Sequence, residues 1–168
     1  MTLDIAIDAD AEWDSSKNWA TLARSAATAA IAESAFPQLG RGERIVELSV
    51  RLTSDDEVQA LNSEWRGKDK PTNVLSFPMA DEQEVDAGAQ AGPELMLGDI
   101  ILASGVCSAE AADKGVPLED HAAHLMVHGT LHLLGYDHVD EDAAADMEER
   151  EVRALARLGI ADPYGDRG

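Results

Sequence analysis

The sequence predicts an α+β fold: a single domain over residues 1–168, with a mixed sheet of about four strands packed against helices and a central helix bearing histidines. Three observations predict it. Short apolar runs with strand character are interspersed with helical stretches without strict alternation, no internal repeat or long linker divides the chain, and 168 residues suit one hydrophobic core.

The elements follow in order. Leu3, Ile5 and Ile7 alternate with polar or small residues at the period of a half-buried strand. Residues 15–36 are Ala-rich and predict a helix that Pro37 and Gly40 end. A second strand, 45–52, is rich in branched apolar residues, and Ser54 with Glu57 has the spacing of a capping box, which starts a helix running to about Trp65. Residues 72–77 read as a third strand ended by Pro78, 80–94 as an acidic, glycine-containing loop, and 97–102 as a fourth strand. A helix over 105–114 precedes another that begins near 117–119 and reaches Leu134, where Gly135 suits the left-handed conformation that stops helices. A last amphipathic helix spans 141–158, before Gly159.

Composition narrows the function classes. With 33 acidic against 13 basic residues the net charge is −20, a field that repels phosphate backbones. The acids concentrated in 81–94 and 137–151 read as solvated surface, while Arg66, Lys68 and Lys70 form a small basic island before Pro71. No stretch reaches the roughly 18 apolar residues of a membrane helix. The start of the chain lacks the pattern of a signal peptide, so a cytoplasmic location is expected and a membrane partner is not. Cys107 is the only cysteine, which excludes an intramolecular disulfide and a zinc finger built from paired thiolates, and it is expected in the core. The oligomeric state is left open.

All five histidines fall within 121–138. On a helix, His121, His124, His128 and His132 lie within a stripe of about 80°, and the apolar residues on nearly every other side predict a central, buried element. His128 and His132, four apart, can direct both rings to one ion at about 2.0–2.1 Å from each nitrogen. After the turn at Gly135, His138 can return to the end of the same helix as a third ligand, leaving one position for water. Three imidazoles plus water suit zinc, one ion per chain. His124 is also four from His128, but the Gly135 turn favours the later pair. His124 is then expected to hydrogen-bond to a ligand or to the bound water, and His121 to lie near the entrance.

The motif HGTLHLLGYDH at 128–138 matches the metzincin peptidase spacing HExxHxxGxxH at every ligand and at the glycine. It has Gly129 where those enzymes carry the glutamate base, which disfavours peptide hydrolysis. A metal-activated water attacking a phosphodiester needs instead a cation for the phosphate charge, and Arg66 is the candidate, with Lys68 and Lys70 as further phosphate contacts. Asp137 is expected to orient a histidine ring. Asn73 and Ser76 either line the cleft or satisfy local backbone groups.

HGTLHLLGYDH, together with WRGKDKPTNVLSFP at 65–78 and LGDIILA at 97–103, resembles the bacterial YbeY family over about residues 45–160. What the resemblance implies is a single-strand endoribonuclease with a zinc ion on His128, His132 and His138 and an activity-determining arginine at Arg66. It also implies a role in 16S rRNA 3′-end maturation and ribosome quality control, with rRNA and ribosomal proteins as partners. The acidity runs against RNA binding outside the basic island. Two alternatives remain: a non-catalytic ribosome assembly factor with a structural metal, and another zinc metallohydrolase.

Overall fold

The computed structural model describes residues 2–10, 12–14, 16–36, 39, 45–80, 94–136 and 140–164 of the chain. Strands β1 (Thr2–Ala9), β2 (Ile45–Thr53), β3 (Val74–Pro78) and β4 (Glu94–Ala103) form one sheet in the order β1-β2-β4-β3. The first, second and fourth are parallel neighbours, and β3 runs antiparallel to β4. Five helices are seen among the described residues: α1 (Trp19–Glu33), α2 (Asp55–Arg66), α3 (Ser104–Lys114), α4 (Leu118–Leu133) and α5 (Glu141–Arg157). The expected α+β class with a mixed four-stranded sheet is therefore the observed one.

Strand alternation divides the helices between the two faces of the sheet. Val46, Leu48, Val50 and Leu52 of β2 and Ile100 and Leu102 of β4 join the main core, with the alanine stripe of α1 and the apolar residues of α4. Ile101 and Ala103 point the other way and meet Leu75 of β3 and Val58 of α2 in a smaller cluster. Thus α2 covers one face and α4 the other. On α1, buried Ala23, Ala26, Ala27 and Ala30 let the helix lie close to α4, and α5 packs across both.

Several boundaries differ from the expectation for local reasons. The first helix starts at Trp19, not 15, because Asp14 Oδ1 accepts from the Ser16 N–H at 2.9 Å and Asn18 then caps, accepting from Thr21 N–H at 3.1 Å. It stops at Glu33 because the Ser34 hydroxyl donates to the Ile31 carbonyl at 2.7 Å. The capping box at Ser54 is present: its side chain accepts from Glu57 N–H at 3.2 Å. Strand β4 starts three residues earlier than expected, since its pairing with β2 continues through a bulge in which Leu97 is the extra residue between the Glu47–Met96 and Leu48–Gly98 pairs. Gly98 has φ +144°, and a Cβ there would lie 2.2 Å from the Phe77 carbonyl oxygen and 2.9 Å from Leu133 Cδ2. Only glycine lets β3, β4 and α4 converge this closely. The acidic loop expected over 80–94 lies outside the described residues from 81 to 93.

Among the described residues no helix is long and apolar enough to cross a membrane. Cys107 is buried in the main core, as expected.

Candidate functional site

Helix α4 begins after Pro117 and is buried along nearly its whole length, because it lies between the sheet on one side and α1, α3 and α5 on the others. Its four histidines meet different neighbours. His121 Nε2 lies 2.8 Å from Glu110 Oε1 on α3, and Asn73 Nδ2 donates to the same carboxylate oxygen at 3.1 Å. His121 is 3% exposed, so it is a buried tie between α4, α3 and the start of β3 and not an entrance residue as expected. Burial holds its pKa below the usual imidazole value, against the opposing pull of Glu110. Asn73 also accepts from the Val74 N–H at 2.7 Å, so the reading of it as a local polar anchor describes it.

The next two histidines converge on Glu151, a residue of α5 with no solvent exposure. His128 Nδ1 hydrogen-bonds to Glu151 Oε1, His124 Nε2 lies 3.4 Å from Oε2, and the Tyr164 hydroxyl also donates to Oε2. His124 Nε2 is in addition 3.2 Å from that hydroxyl. Burial pushes the Glu151 pKa up, but the hydrogen bonds from His124 and His128, aided by Tyr164, outweigh it and hold the carboxyl well below its ordinary range. An ionised carboxylate accepts only, so Nδ1 of His128 carries the hydrogen and Nε2 is left with the lone pair a metal needs.

This corrects one expectation. The acids of 137–151 are not all solvated surface, and a carboxylate seated on a candidate ligand is Glu151; Asp137 lies outside the described residues. A signal was available. Met147, Glu151, Ala154 and Leu155 are the buried positions of α5, so Glu151 is a charge set within an apolar helical stripe. His124 does bond within the cluster, but its partners are a carboxylate and a phenol, and its Nδ1 is buried with no hydrogen-bond partner among the described residues.

His128 and His132 are half-buried, with ring centroids 4.6 Å apart and planes at 76°. Two imidazoles in contact, one with its second nitrogen held by a buried carboxylate, fit a first-row divalent ion such as zinc. His138, the expected third ligand, lies outside the described residues, and among those described no group of three His, Cys, Asp or Glu side chains converges as a metal site.

Gly129 faces away from this pair, buried against β4. A Cβ on it would meet the side chain of Ile100 at 3.0–3.2 Å. The position that carries the base in peptidases is here a packing contact between helix and sheet, with no room for a carboxylate.

The cationic candidates lie elsewhere. Arg66 ends α2, on the opposite face of the sheet from α4, and Arg66, Lys68 and Lys70 are all exposed. Among the described residues no contact joins them to the histidines; the connection between them is β3, which follows directly from this loop and packs against α4. Ser76 is half-buried on β3, where alternation puts it on the same face as Val74, towards α4. A cleft of about 430 Å³ adjoins the pair, bounded by His132, Pro78, Phe36, Tyr136 and Arg150, whose guanidinium carbon stands 5.0 Å from the Tyr136 ring centroid.

Together the fold and site define a class: a small α+β protein in which a histidine pair on a buried helix, backed by a carboxylate from the last helix, opens beside the edge of a mixed sheet. Within that class, the chain belongs to the YbeY family, since the family model described as Endoribonuclease YbeY matches residues 7–159. Proteins named Endoribonuclease YbeY from Rhizorhabdus wittichii and Novosphingobium aromaticivorans are 51% and 53% identical to it, covering 96% and 95% of both chains respectively. One from Sphingopyxis alaskensis is 49% identical over 98% of this chain and 99% of its own. A protein of Thermotoga maritima solved in solution shares the fold, with a TM-score of 0.55 at 23% identity, covering 92% of this chain and 91% of that one.

Proposed function

We propose that the chain is a zinc-dependent endoribonuclease that cuts single-stranded RNA, acting in the 3′-end maturation of 16S rRNA and in ribosome quality control in the cytoplasm. Membership of the endoribonuclease family supports the reaction class. The observation that carries the metal is the buried Glu151 on Nδ1 of His128, a ring that stands beside that of His132. His128, His132 and His138 would hold one ion. When bound, zinc supplies Lewis acidity towards a water and a phosphoryl oxygen.

The chain's own residues do the rest. Glu151 fixes the His128 tautomer and, with His124 and Tyr164, anchors α4 to α5. Arg66 offsets charge on the phosphate, and Lys68 and Lys70 hold neighbouring phosphates. Because Arg66 and the histidines belong to opposite faces of the sheet, an RNA strand engaging both passes over the β3 edge. Gly129 removes the peptidase base from the motif, which disfavours the reading as another zinc metallohydrolase.

Metal analysis of the purified protein, with RNA cleavage by wild type, His128→Ala and Arg66→Ala, tests the reading. We expect about one zinc per chain, lost in His128→Ala, and folded, metal-loaded Arg66→Ala with little cleavage. Full cleavage by Arg66→Ala, or by stripped protein, overturns it. The charge of −20 favours a second reading, a non-catalytic assembly factor whose acidic surface recruits basic ribosomal proteins. That reading predicts ribosomal association with no cleavage by wild type.

A further inference from the structure

Trp65 is 66% exposed, while the other two tryptophans, Trp13 and Trp19, are 2% and 5% exposed and pack edge to face. A single exposed indole is not a site by itself. Its surroundings indicate a partner.

In this acidic molecule most described cations are engaged. Arg51 pairs with Asp8 and Glu57, Arg150 with Asp146, Arg153 with Glu33 and Glu149, Arg157 with Glu33, and Lys17 with Glu119, while Arg24 donates to the Leu3 carbonyl. Arg66, Lys68 and Lys70, exposed beside Trp65, have no ion pair among the described residues. Lys114 has none either, but it is the only cation in its segment. The one acid within the island, Asp69, accepts from Gln59 Nε2 at 3.1 Å.

The loop that carries these cations is pinned. Gly67 takes the left-handed conformation at φ +68°, Lys68 N–H bonds to the Asn62 carbonyl at 3.2 Å, and the side chain of Asn62, 1% exposed, donates to the Lys70 carbonyl at 2.9 Å. A buried amide spent on ordering a surface loop fixes the backbone from which Lys68 and Lys70 project, directly after Trp65 and Arg66 in the chain. An exposed aromatic ring on the same short segment as exposed cations is the chemistry of single-stranded nucleic acid: a π-face for an unpaired base and charges for the flanking phosphates. A duplex keeps its bases stacked on each other and has none to offer.

We propose that Trp65, with Arg66, Lys68 and Lys70, forms a stacking platform that takes one unpaired base of the RNA and holds its phosphates. The inference rests on the endoribonuclease reading and extends it by naming what grips the strand on either side of Arg66.

Trp65 is its own reporter, since the other indoles are buried. Titrating the protein with oligouridylate at low salt should quench and shift Trp65 emission, whereas inorganic polyphosphate and a duplex of equal charge should leave it unmoved. By fluorescence anisotropy with labelled oligouridylate, Trp65→Ala should bind about tenfold or more weakly and Trp65→Phe close to wild type, with binding falling steeply as salt is added. Circular dichroism of both variants checks folding. If wild type cleaves RNA but Trp65→Ala binds within twofold of it, or emission responds equally to polyphosphate, the platform is overturned and the enzymatic reading stands. If wild type neither binds nor cleaves RNA, both fall.

Discussion

Nδ1 of His128 is hydrogen-bonded to the buried carboxylate of Glu151, and that bond decides which nitrogen of the ring is offered to a ligand. Glu151→Gln should weaken zinc binding by about 10- to 100-fold, because the amide is a poorer acceptor and no longer raises the basicity of the imidazole. Competition with a chromophoric chelator measures it. Unchanged affinity would mean the carboxylate serves only to join α4 to α5. Glu151→Ala should in addition cost about 3–5 kcal/mol of stability, since it strands the groups that converge on the carboxylate.

The contact between Gly129 and Ile100 makes a second prediction. Gly129→Ala gains roughly 1 kcal/mol of helix propensity but forces a methyl into Ile100 at a cost of about 1–3 kcal/mol, so the net change in urea denaturation should be destabilising. Ile100→Val in the same background should recover part of it, a coupling that a double-mutant cycle reads directly. Gly129→Glu, which rebuilds the peptidase motif on paper, should unfold the protein and yield no peptidase.

Cys107 is buried in the core, and burial, followed by the nearby charge of Glu110, pushes its thiol up to about 12. The native protein should therefore fail to react with a disulfide reagent at neutral pH over a time in which the urea-unfolded chain reacts fully. Rapid labelling of folded protein would place the thiol outside the core.

Glu33 accepts from Arg153 Nε at 3.0 Å and Arg157 Nε at 2.6 Å, and the hydrogen bond from Arg157 is the chief reason its pKa falls below the usual 4.5. A carboxyl whose folded pKa is depressed adds stability above its unfolded pKa and loses it as pH falls through the folded value. The stability gap between wild type and Glu33→Gln, about 1 kcal/mol for such a partly exposed cluster, should thus be full at neutral pH and close on acidification below 4.5. A gap that persists at the acid end would assign the effect to packing.

Much of this protein was legible in one dimension. The order and type of the elements followed from apolar period and from stop signals such as Gly135 and Gly159, because backbone preference and burial pattern act over a few residues. The i,i+4 pair His128 and His132 was legible for the same reason: helix geometry alone brings the two rings to one side. The missing peptidase base was visible as Gly129.

Only the folded chain decided what those residues meet. Glu151 reads as one more acid in an acidic stretch until α5 crosses α4 and closes over it, His121 turns out to be tied to Glu110 on α3, and Gly129 owes its lack of a side chain to Ile100 on a strand 29 positions earlier. Arg66, adjacent in argument to the histidines, sits across the sheet from them. The physical reason is common to all four. Spacing along one helix or strand sets which side chains share a face, but desolvation and hydrogen bonding depend on the neighbour that covers that face, and the neighbour comes from elsewhere in the chain.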